Sequence, residues 1–362
     1  MPQPSLRVVL AFVLAAGLCL GATTRASNKK KRRRPAPASV VVRGGPWTAP
    51  TFADSTAGDN VDGDDLEIRR AAVAALGDYN GSVVVVDPST GRILTIVNQK
   101  LALGTGFQPC STIKLTVALA ALGEQLVTPT QRVPLPGAGT MDLTYALAHS
   151  NNLYFATLGR RLGFDTVSRY ARLFGYGEKA GLHIPGEQPG YFPAAPPRNG
   201  GVGMLSSFGE EIRQTPLQLA ALLAAVANGG TLYYLQYPRH EREALELTPR
   251  VKRRLDISRL VPEVKPGMLG AVNFGTARRA HQEEAIAGKT GTCTDARTHL
   301  GWFGSFNQDG RRQLVVVVLL TGGRPAVGPL AAGIAGGLYR NLAQLEYPKR
   351  AALAGVGPCC AR

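Results

Sequence analysis

Gln108-Pro109-Cys110-Ser111-Thr112-Ile113-Lys114-Leu115 sets a serine and a lysine three residues apart, at the start of an apolar run that continues through Val117, Leu119 and Leu122. Three residues are close to one helical turn, so Ser111 Oγ and the Lys114 amine share a helix face. A serine hydroxyl is a weak nucleophile until a base takes its proton. Lysine can be that base if burial and neighbouring charge bring its pKa far below the usual value of about 10.4. The spacing alone decides little. Ser27-Asn28-Lys29-Lys30 repeats it inside a charge run with no sign of a fold. The decision rests on partners elsewhere in the chain.

Upstream, Leu66–Leu76 has helical spacing and predicts a helix. Gly81–Asp87 reads as a buried strand, Pro88–Gly91 as a turn and Arg92–Val97 as the returning strand, which makes a hairpin. Downstream, 125–230 reads mostly as helices between Pro and Gly breaks: Met141–His149, Leu153–Leu162, Thr166–Phe174 and Thr215–Ala227. The last has Thr215 as cap, Pro216 in its first turn and Asn228-Gly229-Gly230 as its stop. Val251–Arg254 and its charged neighbours read as solvated surface, and Pro262–Phe274 as a helix. Three strands follow, Ala285–Thr292, His299–Phe306 and Gln313–Thr321, before a closing helix, Gly328–Leu345. This order predicts an α/β fold of the α+β type. One five-stranded antiparallel sheet draws its first two and last three strands from distant parts of the chain. Terminal helices cover one face, and an all-helical lobe is inserted between the strands.

Composition bounds the setting. The chain has 362 residues, of which 44% are hydrophobic, enough for a real core. The net charge of +16 is uneven, because residues 1–53 hold nine Lys or Arg and no acid. The basic block Lys29–Arg34 has no aromatic residues among its charges, so a nucleic-acid partner is not expected. Arg7, the apolar run Val8–Ala22 and Thr24-Arg25-Ala26 together resemble a signal peptide or a membrane anchor over residues 1–26. Membrane association through the N-terminus, and export to the periplasm or the outer face of the cytoplasmic membrane, follow as expectations. Residues 27–65 are basic and then Pro-, Gly- and Asp-rich, and read as a linker; 66–347 is the folded domain and 348–362 a tail. The five histidines, at 149, 183, 240, 281 and 299, show no metal spacing, and His149 is expected to serve packing. No metal and no cofactor are implied. Of five cysteines, Cys19 would leave with a signal, and Cys110, Cys293, Cys359 and Cys360 remain.

Two further elements complete the opening stretch. Ser150-Asn151-Asn152 lies between two helices, and Lys289-Thr290-Gly291-Thr292 lies on the first late strand. Ser-x-x-Lys, Ser-x-Asn and Lys-Thr-Gly in this order resemble the transpeptidase domain of penicillin-binding proteins, in the superfamily that also holds the class A β-lactamases. Further matches carry the resemblance over about residues 66–346. They are the hairpin Gly81–Val97, Pro185-Gly186-Glu187 with Gly190, Ser207-Phe208-Gly209 through Gly230, Gly275-Thr276-Ala277, and Trp302-Phe303.

The resemblance implies a serine D,D-transpeptidase or D,D-carboxypeptidase, with peptidoglycan stem peptides and β-lactams as partners. Ser111 would attack the D-Ala-D-Ala carbonyl, Lys114 would take its proton, and Ser150 would relay a proton to the leaving amine. Lys289 would lower the Lys114 pKa. Asn152, Thr290, Gly291 and Thr292 would bind substrate, with the N–H groups of Ser111 and Thr292 as the oxyanion hole. By residue type alone, Thr290 and Thr292 are ordinary strand residues and Asn152 a helix cap. A serine β-lactamase is the nearer alternative, with Glu187 as a candidate for activating water; a non-catalytic β-lactam-binding sensor is the other. The resemblance also brings Cys110 and Cys293 together at the site, where they are expected as a disulfide rather than two buried thiols.

Overall fold

The structure is a computed structural model that describes residues 47–295, 298–308 and 312–348. The expected signal or anchor, the basic block, and Cys359 and Cys360 lie outside these residues. No helix among the described residues is long and apolar enough to cross a membrane.

Helix α1 (Leu66–Leu76) precedes the hairpin of β1 (Gly81–Val86) and β2 (Ile93–Val97). The helical lobe holds α2 (Ile113–Gly123), α3 (Leu143–Ala148), α4 (Asn152–Leu173), α5 (Gly201–Phe208), α6 (Pro216–Ala227) and α7 (Val261–Asn273). Strands β3 (Ile286–Asp295), β4 (Thr298–Asn307) and β5 (Val315–Gly322) then lead to α8 (Gly328–Gln344). The sheet order is β2-β1-β5-β4-β3, antiparallel throughout. The five-stranded sheet is therefore as the sequence led one to expect, and β3 is one of its edges.

The strands read as unbroken apolar runs because both faces of the sheet are covered. Side chains alternate between two cores. Val84, Val86, Val315, Val317 and Leu319 join the lobe, together with α2 and α6. Val83, Val85, Val316, Val318 and Leu320 join the other core, together with α1 and α8. Every residue of α2 from Ile113 to Leu122 is buried, so this helix has no solvent face. Helix α6 begins at a capping box: Gln218 N–H donates to Thr215 Oγ1, and Thr215 N–H donates to Gln218 Oε1. The pieces expected at Leu153–Leu162 and Thr166–Phe174 join as α4, interrupted at Gly163, whose φ of 78° only glycine adopts freely. Val251–Arg254 is a short strand paired with Thr231–Tyr233, although its side chains stay exposed or half-buried.

One expected boundary is corrected. Residues 47–65 are not a linker but pack on the sheet. Buried Arg69 binds Asp59 at 2.8 Å and Asp64 at 2.9 Å. Asp64 also accepts from Thr95 and from Tyr237, each at 2.6 Å. Asp59 accepts from the N–H groups of Asn98 and Gln99. The segment is held by carboxylates rather than by an apolar stripe, so no hydrophobic period marks it in the sequence.

Candidate active site

The turn that carries Ser111 is a short 3-10 segment, Cys110–Thr112, that runs into α2. Lys114, fully buried, projects from the first turn of α2. Its Nζ lies 2.9 Å from Ser111 Oγ, 2.8 Å from Ser150 O, 3.1 Å from Ser150 Oγ and 2.5 Å from Asn152 Oδ1. A neutral amine has two N–H groups, which the carbonyl oxygens of Ser150 and Asn152 can accept, and one lone pair, which can face a hydroxyl proton. The rings of Phe155 and Phe208 stand 5.8 Å from Nζ and keep the amine in an apolar shell. Burial, and then the positive charge of Lys289, bring Lys114 down to about 6. Burial alone brings Lys289 down to about 7.

The second wall is the joint between α3 and α4. Ser150 takes a left-handed φ of 57°, which turns the chain between the helices. Asn151, not Asn152, caps α4, its Oδ1 accepting from Tyr154 N–H at 2.8 Å. Asn152 is thereby free to meet Lys114 and keeps its amide N–H groups as donors. His149 is exposed and lies between the rings of Tyr145 and Phe274, with centroids at 4.2 and 5.7 Å.

The third wall is edge strand β3. Lys289 is buried, and its Nζ donates to Thr290 O at 2.9 Å. The hydroxyl of Thr290 lies 2.6 Å from that of Thr276. Thr292 is exposed, and its Oγ1 accepts from Gly328 N–H at 2.8 Å, serving α8 as a cap supplied from the sheet. Gly291 has a packing reason: a Cβ there would lie 2.9 Å from Pro109 O and 3.3 Å from Cys110 Cβ. The Ser111 turn can come this close only because position 291 lacks a side chain. Cys110 and Cys293 form the expected disulfide, with Cα atoms 5.5 Å apart.

The sequence assigned no separate role to the groups that hold the Ser111 turn. Trp302 Nε1 donates to Gln108 O at 3.0 Å, and Thr112 Oγ1 donates to Pro109 O at 2.8 Å. Phe155 could have been found from helical spacing, one turn beyond Asn152. Glu187, the residue weighed for a hydrolytic role, is buried, and its carboxylate accepts from the N–H groups of Ala180 and Gly181. It closes a turn of the lobe. Among the described residues no group of three or more His, Cys, Asp or Glu could hold a metal ion.

A sheet with an inserted helical lobe, whose junction brings Ser-x-x-Lys, Ser-x-Asn and Lys-Thr-Gly elements together, defines a penicillin-interacting domain. Residues 81–340 match the family described as the penicillin binding protein transpeptidase domain, and the chain belongs to it. It is 28% identical to the stage V sporulation protein D of Bacillus subtilis, over 71% of this chain and 44% of that protein. It is 27% identical to the peptidoglycan D,D-transpeptidase PbpA of Mycobacterium tuberculosis, over 71% of this chain and 66% of that protein. The chain spans about half the length of several relatives it matches. The crystal structure of Pseudomonas aeruginosa PBP2 in complex with WCK 5153 overlays with a TM-score of 0.66 at 25% identity. That overlay covers 78% of this chain and 77% of that one. The imipenem acyl-enzyme complex of M. tuberculosis penicillin-binding protein A, at 24% identity and a TM-score of 0.64, shares the fold.

Proposed function

We propose that the protein is a serine D,D-transpeptidase of cell-wall synthesis that acts outside the cytoplasm on D-Ala-D-Ala stem peptides, with Ser111 as nucleophile. The observation that carries this reading is Lys114 Nζ. It is buried, 2.9 Å from Ser111 Oγ and 3.1 Å from Ser150 Oγ, and brought down to about 6. At neutral pH the amine is free to accept a proton.

Ser111 Oγ forms a bond to the carbonyl carbon as its proton passes to Lys114 Nζ. The carbonyl oxygen takes the negative charge between the N–H groups of Ser111 and Thr292. On collapse the C–N bond breaks, and the leaving amine receives the proton from Lys114 through Ser150 Oγ. The acyl-enzyme then passes to an acceptor amine in transpeptidation, or to water in carboxypeptidation. β-Lactams react by the same first step. The unpaired edge of β3 is suited to pair with an extended stem peptide, with the hydroxyls of Thr290 and Thr292 near its terminal carboxylate.

The test treats wild type and Ser111→Ala with fluorescent penicillin, then supplies a D-Ala-D-Ala pentapeptide with and without an acceptor amine. Wild type should be labelled and should release D-Ala, and Ser111→Ala should do neither. Labelling of Ser111→Ala overturns the assignment. A wild type that labels stably but never processes the peptide is a β-lactam sensor. A wild type that turns penicillin over repeatedly is a β-lactamase.

A further inference from the structure

Cys110 and Cys293 are each one residue from a proposed oxyanion donor, Ser111 on one strand of chain and Thr292 on the other. The bridge therefore spans the gap that the two N–H groups must share. Other bonds tie each side to its own neighbours, as Thr292 Oγ1 accepts from Gly328 N–H of α8. β3 is a sheet edge, paired to β4 on one side only, and its other side faces the nucleophile turn. On the turn, Trp302 holds Gln108 O, and Thr112 holds Pro109 O. Between these anchors and Ser111 stands Cys110, whose backbone torsions aim the Ser111 N–H.

Cys110 has a φ of 52°, a left-handed conformation uncommon outside glycine. Glycine would serve that position without steric cost. The Cys110 side chain at this position is committed to the bridge with Cys293 on β3.

We infer that the Cys110–Cys293 disulfide is a positioning element of acylation, holding the Ser111 and Thr292 N–H groups at the spacing that receives the developing oxyanion. The inference rests on the reading of Ser111 as nucleophile. It separates two quantities. Encounter with a β-lactam depends on the cleft walls and needs no bridge. Bond formation depends on donors placed for the tetrahedral oxygen, and complete loss of one such donor costs about 10²–10³ in rate. Loss of the bridge misplaces donors without removing them, so a loss of roughly 10- to 100-fold in the acylation rate constant is expected.

The bridge can be opened in the folded protein. Cys110 is fully buried, but Cys293 is partly exposed and lines a cavity of 460 Å³ with Gln108, Phe208 and Arg213. A small dithiol such as dithiothreitol can attack Cys293 Sγ there. The S–S bond breaks, two thiols form, and the reagent leaves as its cyclic disulfide.

The experiment uses the full chain and stopped-flow acylation by a fluorescent penicillin, resolved into an encounter constant and an acylation rate constant. It compares oxidised wild type, dithiothreitol-reduced wild type, re-oxidised wild type and Cys110→Ala/Cys293→Ala. Alkylation with mass spectrometry assigns the thiols at 110 and 293. The expected result is a 10- to 100-fold slower acylation step in the reduced protein and the double variant. The encounter constant should stay within about twofold, and re-oxidation should restore the rate. An unchanged acylation step with both thiols alkylated overturns the inference, as does joint collapse of both constants with loss of near-UV circular dichroism. If the double variant does not fold, the reduction series decides. Ser111→Ala separates the two levels: if it still acylates, the underlying reading fails; if it is silent while the reduced wild type acts normally, only the role of the bridge fails.

Discussion

Two buried lysines face one another across the cleft, and they are held differently. Lys114 sits on the first turn of a helix that has no solvent face, with four oxygens within 3.1 Å. Lys289 sits on an edge strand and donates to one backbone carbonyl. Burial makes both easy to deprotonate, to about 6 and about 7 against an ordinary 10.5. The contrast separates two uses of a desolvated amine. Lys114 lies within hydrogen-bond reach of two hydroxyls, those of Ser111 and Ser150. Lys289 contributes a charge, and that charge is the second cause of the low Lys114 value.

The contrast breaks most readily at Lys114. Lys114→Ala removes the base, and penicillin acylation should fall by about 10³–10⁴-fold. Retention within tenfold of wild type, measured as the acylation rate constant, would show that the proton leaves by another route. A smaller effect sharpens the division of labour. Acylation should drop about tenfold per pH unit below pH 6, because protonated Lys114 cannot accept the serine proton. Lys289→Met removes a cation that holds Lys114 down, so the acid limb should move toward neutral pH. A limb that stays in place, or moves to lower pH, contradicts the electrostatic role.

The smallest effect is on stability. The folded value for Lys289 lies below its unfolded value, so from pH 7 to 10.5 the unfolded chain holds a proton that the folded one lacks. Stability therefore rises with pH across that window, and the cost of burial is complete below it. Lys289→Met should melt roughly 5 °C higher at pH 6–7, with the gain fading toward pH 10. Scanning calorimetry across that range checks it, and a gain that grows with pH would reverse the sign.

The candidate site residues were legible because each group lies within a short motif whose geometry is local. Ser111 and Lys114 share a helical turn, and Lys289 and Gly291, two apart, share one face of a strand. Their convergence was not local. That Lys114 and Lys289 share one cleft, or that Cys110 meets Cys293, follows from the order of strands and came from family resemblance rather than from spacing. The attachment of residues 47–65 was illegible for another reason. Asp59 and Asp64 are polar positions in a Gly- and Asp-rich stretch, and they become structural only once Arg69 and Thr95 are brought to them. A composition that usually marks a linker here neutralises a buried cation.

The carboxylate that caps α1 has a second bond. Asp65 Oδ1 accepts from the N–H groups of Glu67 and Ile68, and its Oδ2 accepts from the hydroxyl of Tyr347, just beyond α8, at 2.7 Å. The place where the chain enters its first helix and the place where it leaves its last one therefore touch. This contact fastens α8 to α1, while residues 47–65 carry the chain away from it to Trp47 beside His299, so the bond joins two helices inside the fold rather than its two ends.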